Sequence, residues 1–264
     1  MKPRTLLVAK IPIALAAVLM TSAAANAAQL AALVGNDTIA WVDTMQKKAT
    51  GMTKVTGISG AVVGIDVRPA DGMLYGLVDD GTVVTIAQDG KATMKSKLDT
   101  MVAKGLAVTV DFNPVADRLR VIGSDGMNLR ANVDDGKVTK DGDLKFAETD
   151  MHKGEKPNVV GGAYINSVKG AKETALYDID GTIGGLLKQA PPNDGILAAV
   201  GKLGIKADTI AFDIWSDGNG KNDAWLMAGD TLYSVDLATG KATEAAKISG
   251  VTGTVRDIAI LPGM

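Results

Sequence analysis

One segment sets the pattern for the whole chain. Val108-Thr109-Val110-Asp111-Phe112-Asn113-Pro114-Val115-Ala116-Asp117-Arg118-Leu119-Arg120-Val121-Ile122 reads as a short apolar strand carrying an Asp and an Asn, a Pro turn, and a second strand opening on Arg-Leu-Arg. A close copy precedes it, Ile65-Asp66-Val67-Arg68-Pro69-Ala70-Asp71-Gly72-Met73-Leu74-Tyr75. Weaker copies follow at Ala163-Tyr164-Ile165-Asn166-Ser167, Phe212-Asp213-Ile214-Trp215-Ser216 and Arg256-Asp257-Ile258-Ala259. Aligned on Asp66, Asp111, Tyr164, Asp213 and Asp257, the copies are 45, 53, 49 and 44 residues apart. Repeats of that period with strand-like contents are the signature of propeller blades.

The punctuation between copies agrees. Strands from about Val62 to Leu98 are separated by Pro69-Ala70-Asp71-Gly72, Asp79-Asp80-Gly81 and Gln88-Asp89-Gly90. These are hairpin signals, because Gly supplies positive φ and Asp tolerates it. A second blade spans about Val108 to Leu144, a divergent third begins at Gly161, and a fourth spans about Ile210 to Ile248. Three outer hairpins share one wording: Thr38 to Asp43 with Lys48-Ala49-Thr50, Thr82 to Ile86 with Lys91-Ala92-Thr93, and Thr231 to Asp236 with Lys241-Ala242-Thr243. The final strand, Thr254 to Leu261, matches an inner strand, and the segment from Gln29 to Thr56 lacks one. Pairing the two completes a fifth blade and removes an exposed edge. The expectation is an all-β, five-bladed β-propeller closed by its two ends.

The first residues read as a leader. Lys2, Arg4 and Lys10 precede and open an apolar run to Met20, and Ala25-Asn26-Ala27 is an A-x-A cleavage site. Cleavage after Ala27 leaves residues 28–264 as a single propeller domain of 237 residues, exported to a bacterial periplasm or exterior. The apolar run is too short for a membrane span, which takes about 20 residues. The chain has no cysteine, so disulfides and a lipidated Cys are both excluded. Loss of the leader removes three positive charges and moves the formal charge from -2 to about -5. A mildly acidic surface with no basic tract argues against nucleic acid or an anionic membrane as partner. A small molecule or a protein remains.

Ile65-Asp66-Val67-Arg68-Pro69, Leu74-Tyr75-Gly76-Leu77, Val110-Asp111-Phe112-Asn113-Pro114, Asp117-Arg118-Leu119-Arg120-Val121, Asn128-Leu129-Arg130 and Pro192-Asn193-Asp194-Gly195 resemble the bacterial domain-of-unknown-function family numbered 4394. The resemblance covers nearly all of the chain after the leader and departs most in the third blade. It implies an exported propeller-like domain and brings no catalytic residues with it.

Candidate chemistry therefore rests on the repeat itself. Asp66, Asp111, Asp213 and Asp257 recur at one position, with Tyr164 in the remaining blade. Two residues on, and so on the same strand face, stand Arg68, Asn113, Asn166, Trp215 and Ala259. Inner strands surround a propeller's channel, which makes these side chains candidates to line it. Carboxylates near one axis repel unless a cation or hydrogen-bond donors compensate them. Asp66, Asp111, Asp213 and Asp257 are hard oxygen ligands that suit Ca²⁺ or Mg²⁺ rather than zinc. The plainer reading makes them structural acceptors for turn amides or for Arg68, Arg118, Arg120, Arg130 and Arg256 of a neighbouring blade. No G-x-S-x-G elbow is present, and the only histidine, His152, falls in a polar loop. Two functions follow: a non-enzymatic binding or scaffold module, or a cation-dependent hydrolase of a lactone, ester or glycan in which Asp66, Asp111, Asn113, Asn166 and Asp213 would hold the metal and polarise substrate.

Overall fold

A computed structural model describes residues 29–262; the expected leader lies outside them. The chain opens with β1 (Gln29–Val34), β2 (Thr38–Asp43) and β3 (Lys48–Lys54). The first blade is β4 (Val62–Val67), β5 (Leu74–Val78), β6 (Thr82–Ile86) and β7 (Ala92–Lys97). The second is β8 (Val108–Asn113), β9 (Arg118–Gly123), β10 (Asn128–Ala131) and β11 (Val138–Lys140). A two-residue strand, β12 (Lys145–Phe146), precedes the third blade of β13 (Val159–Tyr164), β14 (Leu176–Asp180), β15 (Gly185–Gln189) and β16 (Ile196–Lys202). The fourth is β17 (Ala211–Ser216), β18 (Asn222–Ala228), β19 (Thr231–Val235) and β20 (Ala242–Lys247), and β21 (Val255–Ile260) ends the chain.

Each blade is an antiparallel meander, and β21 pairs with β1 to give the sheet order β21-β1-β2-β3. The fifth blade is thus built from both ends, as the unmatched inner strand of the sequence requires. Inner strands β4, β8, β13, β17 and β21 neighbour one another in a closed ring. Among the described residues the only helical turn is a 3₁₀ turn at Pro192–Asp194. No helix there is long and apolar enough to cross a membrane.

Strand alternation places a core on both faces of every blade. β1 sends Leu30, Ala32 and Val34 against the fourth blade and Ala31 and Leu33 against the first. Five apolar clusters result, one at each blade interface. Each Trp packs at the margin of such a cluster, Trp41 in one and Trp215 and Trp225 in another.

Outer strands are stitched to the preceding blade through the hairpin glycines. Thr56 N donates to Gly90 O at 2.9 Å, and Asp99 N donates to Gly136 O at 3.0 Å. Gly90 and Gly136 have φ of 83° and 78°. A β-carbon at either would collide with a carbonyl of the previous blade, that of Lys54 or of Lys97. Only glycine meets both demands at these two positions. The pairings of third with fourth strands carry a register shift in four blades, at Trp41/Val42, Val83/Val84, Leu186/Leu187 and Leu232/Tyr233. Such bulges twist an outer strand and blunt its free edge. The third blade adds a different cover, since β12 pairs in parallel with β16. No alternation or turn signal in the sequence marks that two-residue strand.

Candidate functional site: the aspartate ring and the channel mouth

The repeat aspartates are blade-to-blade latches. Asp66 Oδ2 accepts from Phe112 N of the second blade at 2.7 Å, and Asp111 Oδ1 accepts from Tyr164 N of the third at 3.0 Å. Asp213 Oδ2 accepts from Ile260 N at 2.6 Å, and Asp257 Oδ2 from Ile65 N at 2.8 Å. In Asp66, Asp213 and Asp257 the other oxygen accepts from the amide of the next residue, Val67, Ile214 or Ile258. The donors are thus strand amides, where sequence reasoning expected turn amides or arginines. An inner-strand carboxylate faces the neighbouring inner strand directly, whose amides lie closer than any turn.

Tyr164 cannot accept in this way, and the interface between third and fourth blades is fastened differently. Asn166 N donates to Asn222 Oδ1 and Ser167 N to Ser216 Oγ, both at 2.8 Å. Asn222 Nδ2 returns a bond to Asn166 Oδ1 at 3.2 Å.

One carboxylate oxygen from each of Asp66, Asp111 and Asp213 lies within 4.8 Å of the other two. Asp257 is not part of that group. Burial pushes the Asp66 carboxyl well above the usual carboxylate range, and the Asp213 charge adds to the effect. Burial does the same to Asp111, helped by Asp66 and Asp213. Asp213 is pushed up to about 6 by burial, against the pull of the Ile260 and Ile214 amides, and Asp257 is raised by burial too. Three buried carboxyls this close are compensated by protons or by a cation.

A cavity of about 630 Å³ opens where the inner strands end, with Asp66 and Asp213 at its base. Pro69, Ser167, Lys169, Trp215, Asp217 and Asn219 stand around it. The Lys221 ammonium lies 5.6 Å from the Trp215 ring centre and pairs with Asp223 at 2.6 Å. Where the inner strands begin, a cavity of about 200 Å³ is lined by Val108, Asn158, Asp208 and Arg256 among others. Arg256 spends its Nη1 on Gly35 O, Asn36 Oδ1 and Val62 O.

The family model for Domain of unknown function (DUF4394) matches residues 38–259. The chain belongs to that family. Solved structures similar to this DUF4394 propeller include a protein of unknown function from Bacteroides thetaiotaomicron, 16% identical, TM-score 0.51, covering 90% of this chain and 65% of that one. A protein of unknown function from Bacteroides caccae is 12% identical over 89% of this chain and 99% of that chain, TM-score 0.45. An auxiliary nutrient binding protein from Bacteroides thetaiotaomicron is 14% identical over 74% of this chain and 52% of that one, TM-score 0.47. Comparison with curated proteins found no match.

The remaining sequence candidates of the DUF4394 chain take other places. Arg68 is buried between the first and second blades, where Nη2 meets Asp117 at 2.6 Å and Asp134 at 2.8 Å and Nη1 reaches the Tyr75 hydroxyl at 3.2 Å. Asn113 Oδ1 accepts from Val115 N and Ala116 N, shaping the Pro turn. The Tyr164 hydroxyl accepts from Arg120 Nε at 3.1 Å. Trp215 alone of the second set lines the larger cavity. His152 pairs with Glu155 at 3.1 Å and packs on Phe146, apart from the aspartate group. In the polar hairpin after β17, Asp217 Oδ1 accepts from Asn219 N and Lys221 N and so shapes the turn.

Sequence reasoning missed a second polar cluster between the second and third blades. Buried Arg120 donates to Asn128 at 2.8 Å, Asp141 at 2.6 Å and Asn193 at 2.9 Å, and Arg130 shares Asp141. Asp178 is fully buried nearby, and burial pushes its carboxyl up to about 8. The available signal was alternation: in Leu176-Tyr177-Asp178-Ile179-Asp180, Asp178 sits in phase with Leu176.

Proposed function

We propose that this chain is an exported, non-enzymatic binding propeller that holds a small molecule or a protein loop in the cavity at the ends of its inner strands. The observation that supports this reading is the 630 Å³ cavity, walled by Trp215, Lys169 and Asn219 and ending on Asp66 and Asp213. An aromatic face, a cation and carboxylates together suit a polar ligand with an apolar side. The leader read in the first 27 residues supports export, and the single histidine, His152, which pairs with Glu155 apart from the aspartate group, supports binding over nucleophilic catalysis. The test is a thermal-shift screen of residues 28–264 against sugars, amino acids, short peptides and nucleosides. A ligand that raises Tm in the parent chain and fails to do so in Trp215→Ala supports the reading. A shift retained in Trp215→Ala refutes the cavity as its site.

The spacing of Asp66, Asp111 and Asp213 favours a second reading, a cation-dependent hydrolase of a lactone, ester or glycan. These three carboxylates would supply part of the 6–8 oxygens that Ca²⁺ takes, and the ion would supply polarisation of a substrate oxygen. Asn113 and Asn166 are occupied in a turn and a latch and take no part. Metal analysis of the purified protein, with Tm in EDTA and after return of Ca²⁺, separates the readings. A fall on chelation that Ca²⁺ reverses favours the metal site; an unchanged Tm and no bound metal leave the aspartates as latches.

A further inference from the structure

The hairpin between β17 and β18 carries the chain's single Asn-Gly pair, Asn219-Gly220, and Asn219 stands on the wall of the larger cavity. In such a pair the backbone nitrogen after the asparagine can reach the side-chain carbonyl carbon, because glycine has no β-carbon to crowd the approach. The other asparagines after the leader are followed by Asp, Pro, Leu, Val or Ser. Each of those side chains shields or, in proline, replaces the attacking N–H.

The turn leaves that one nitrogen free. Asn219 N donates to Asp217 Oδ1 at 2.7 Å, and Lys221 N donates to the same oxygen at 3.0 Å. Gly220 N, between them, makes no hydrogen bond to any group among the described residues. Residues 217–220 are all exposed, and nothing lies within 4 Å of the place a β-carbon at Gly220 would take. One long bond, from Asn219 Nδ2 to Asp217 O at 3.3 Å, restrains the carboxamide. The Asp217-Gly218 pair beside it is a poorer target. The Asn219 amide, above all, holds the Asp217 carboxyl below the usual carboxylate range, and an ionised carboxylate resists a nucleophile.

We propose that Asn219 is a site of spontaneous deamidation in the folded protein. Gly220 N gives its proton to hydroxide and attacks Asn219 Cγ. The new N–C bond closes a succinimide ring, and the Cγ–Nδ2 bond breaks to release ammonia, which takes its extra proton from water. Water then opens the ring at either carbonyl, leaving aspartate at position 219 or an isoaspartyl link to Gly220. Either product puts a negative charge on the cavity wall where a neutral carboxamide stood, next in the chain to Lys221. The isoaspartyl form also lengthens the main chain inside a turn closed by Asp217 Oδ1. An effect on what the cavity holds rests on the binding reading above; the modification itself does not.

The test is peptide mapping by mass spectrometry of residues 28–264 kept folded at neutral and at mildly alkaline pH, beside Asn219→Gln and beside the parent chain unfolded in guanidinium chloride. The expected result is loss of the Asn219 carboxamide in the folded parent, faster at alkaline pH and several-fold ahead of every other asparagine. Aspartate and isoaspartate should both appear. Asn219→Gln should accumulate no comparable acidic form, because attack on the longer side chain closes a larger ring more slowly. Asn219 intact in the folded chain after the unfolded chain has lost it would overturn the proposal, the Asp217 bonds then locking the turn against ring closure. Persistence in both states, or deamidation led by another asparagine, would overturn it too. The readout is a mass, so the outcome is independent of any ligand or metal in the channel.

Discussion

Asp257 Oδ2 accepts a hydrogen bond from the Ile65 amide at 2.8 Å, joining the last inner strand to the first across 192 residues of chain. The contact closes the ring at the point where the two chain ends also share a sheet. Asp66, Asp111 and Asp213 repeat the device at three other interfaces. A carboxylate that takes one amide from its own strand and one from the next fixes the offset between neighbouring blades. That is a structural use for the repeat aspartates whatever else they bind.

Asp257→Ala removes the acceptor for both Ile65 N and Ile258 N in a buried setting. Stranded buried donors cost about 1–3 kcal/mol. The variant is expected to lose that much stability in urea unfolding, with Asp257→Asn losing less because one oxygen remains. An Asp257→Ala chain as stable as the parent would refute the latch.

Asp111→Asn separates latch from ligand. Its remaining oxygen can still accept from Tyr164 N, while one charge leaves the group shared with Asp66 and Asp213. Tm without divalent ions should hold or rise, since a buried repulsion is relieved. If Ca²⁺ stabilises the parent chain, that response should vanish in the variant.

Acid sensitivity has a definite window. Hydrogen bonds from Arg68, then from Lys95, hold the Asp134 carboxyl down to about 2. A carboxyl whose folded pKa is depressed contributes stability above its unfolded value of about 3.9, and the contribution disappears as pH falls through the folded value. Asp134 is half exposed, so the contribution is about 1 kcal/mol or less. Asp134→Asn should lower Tm slightly at pH 7, and the gap to the parent should narrow by pH 2. A parent-to-variant gap that persists unchanged to pH 2 would contradict the ion pair.

Arg120→Leu breaks a buried charge centre that spans the second and third blades. Its guanidinium serves Tyr164, Asn128, Asp141 and Asn193 at once. Removing one partner of a buried ion pair costs about 3–5 kcal/mol, and Arg130 keeps part of the Asp141 charge compensated, so the lower end is expected. Chemical denaturation measures it. A cost under about 1 kcal/mol would show that the network is dispensable.

The architecture was readable because its causes are local. Strand alternation, the Asp-Gly turns and the spacing of Asp66, Asp111, Asp213 and Asp257 each act within a few residues or repeat at one period. Even the closure followed from bookkeeping on strands, with Thr254 to Leu261 lacking partners and Gln29 to Thr56 lacking an inner strand. The candidate site was only half readable. The aspartates were picked out, but Arg68 and Asn113 turned to an inter-blade ion pair and a turn, and Asp178 went unnoticed in a weakly repeating blade.

The sequence by itself determined five blades, their inner strands and the position of a recurring carboxylate on each but the third. Tertiary structure decided which amide each carboxylate meets, that Asp66, Asp111 and Asp213 converge while Asp257 does not, and that Asp178 is sealed beside Gly162. The reason is that periodicity specifies which way a side chain faces along its own strand. The offset between one blade and the next arises from packing across their interface, and no residue encodes that offset alone.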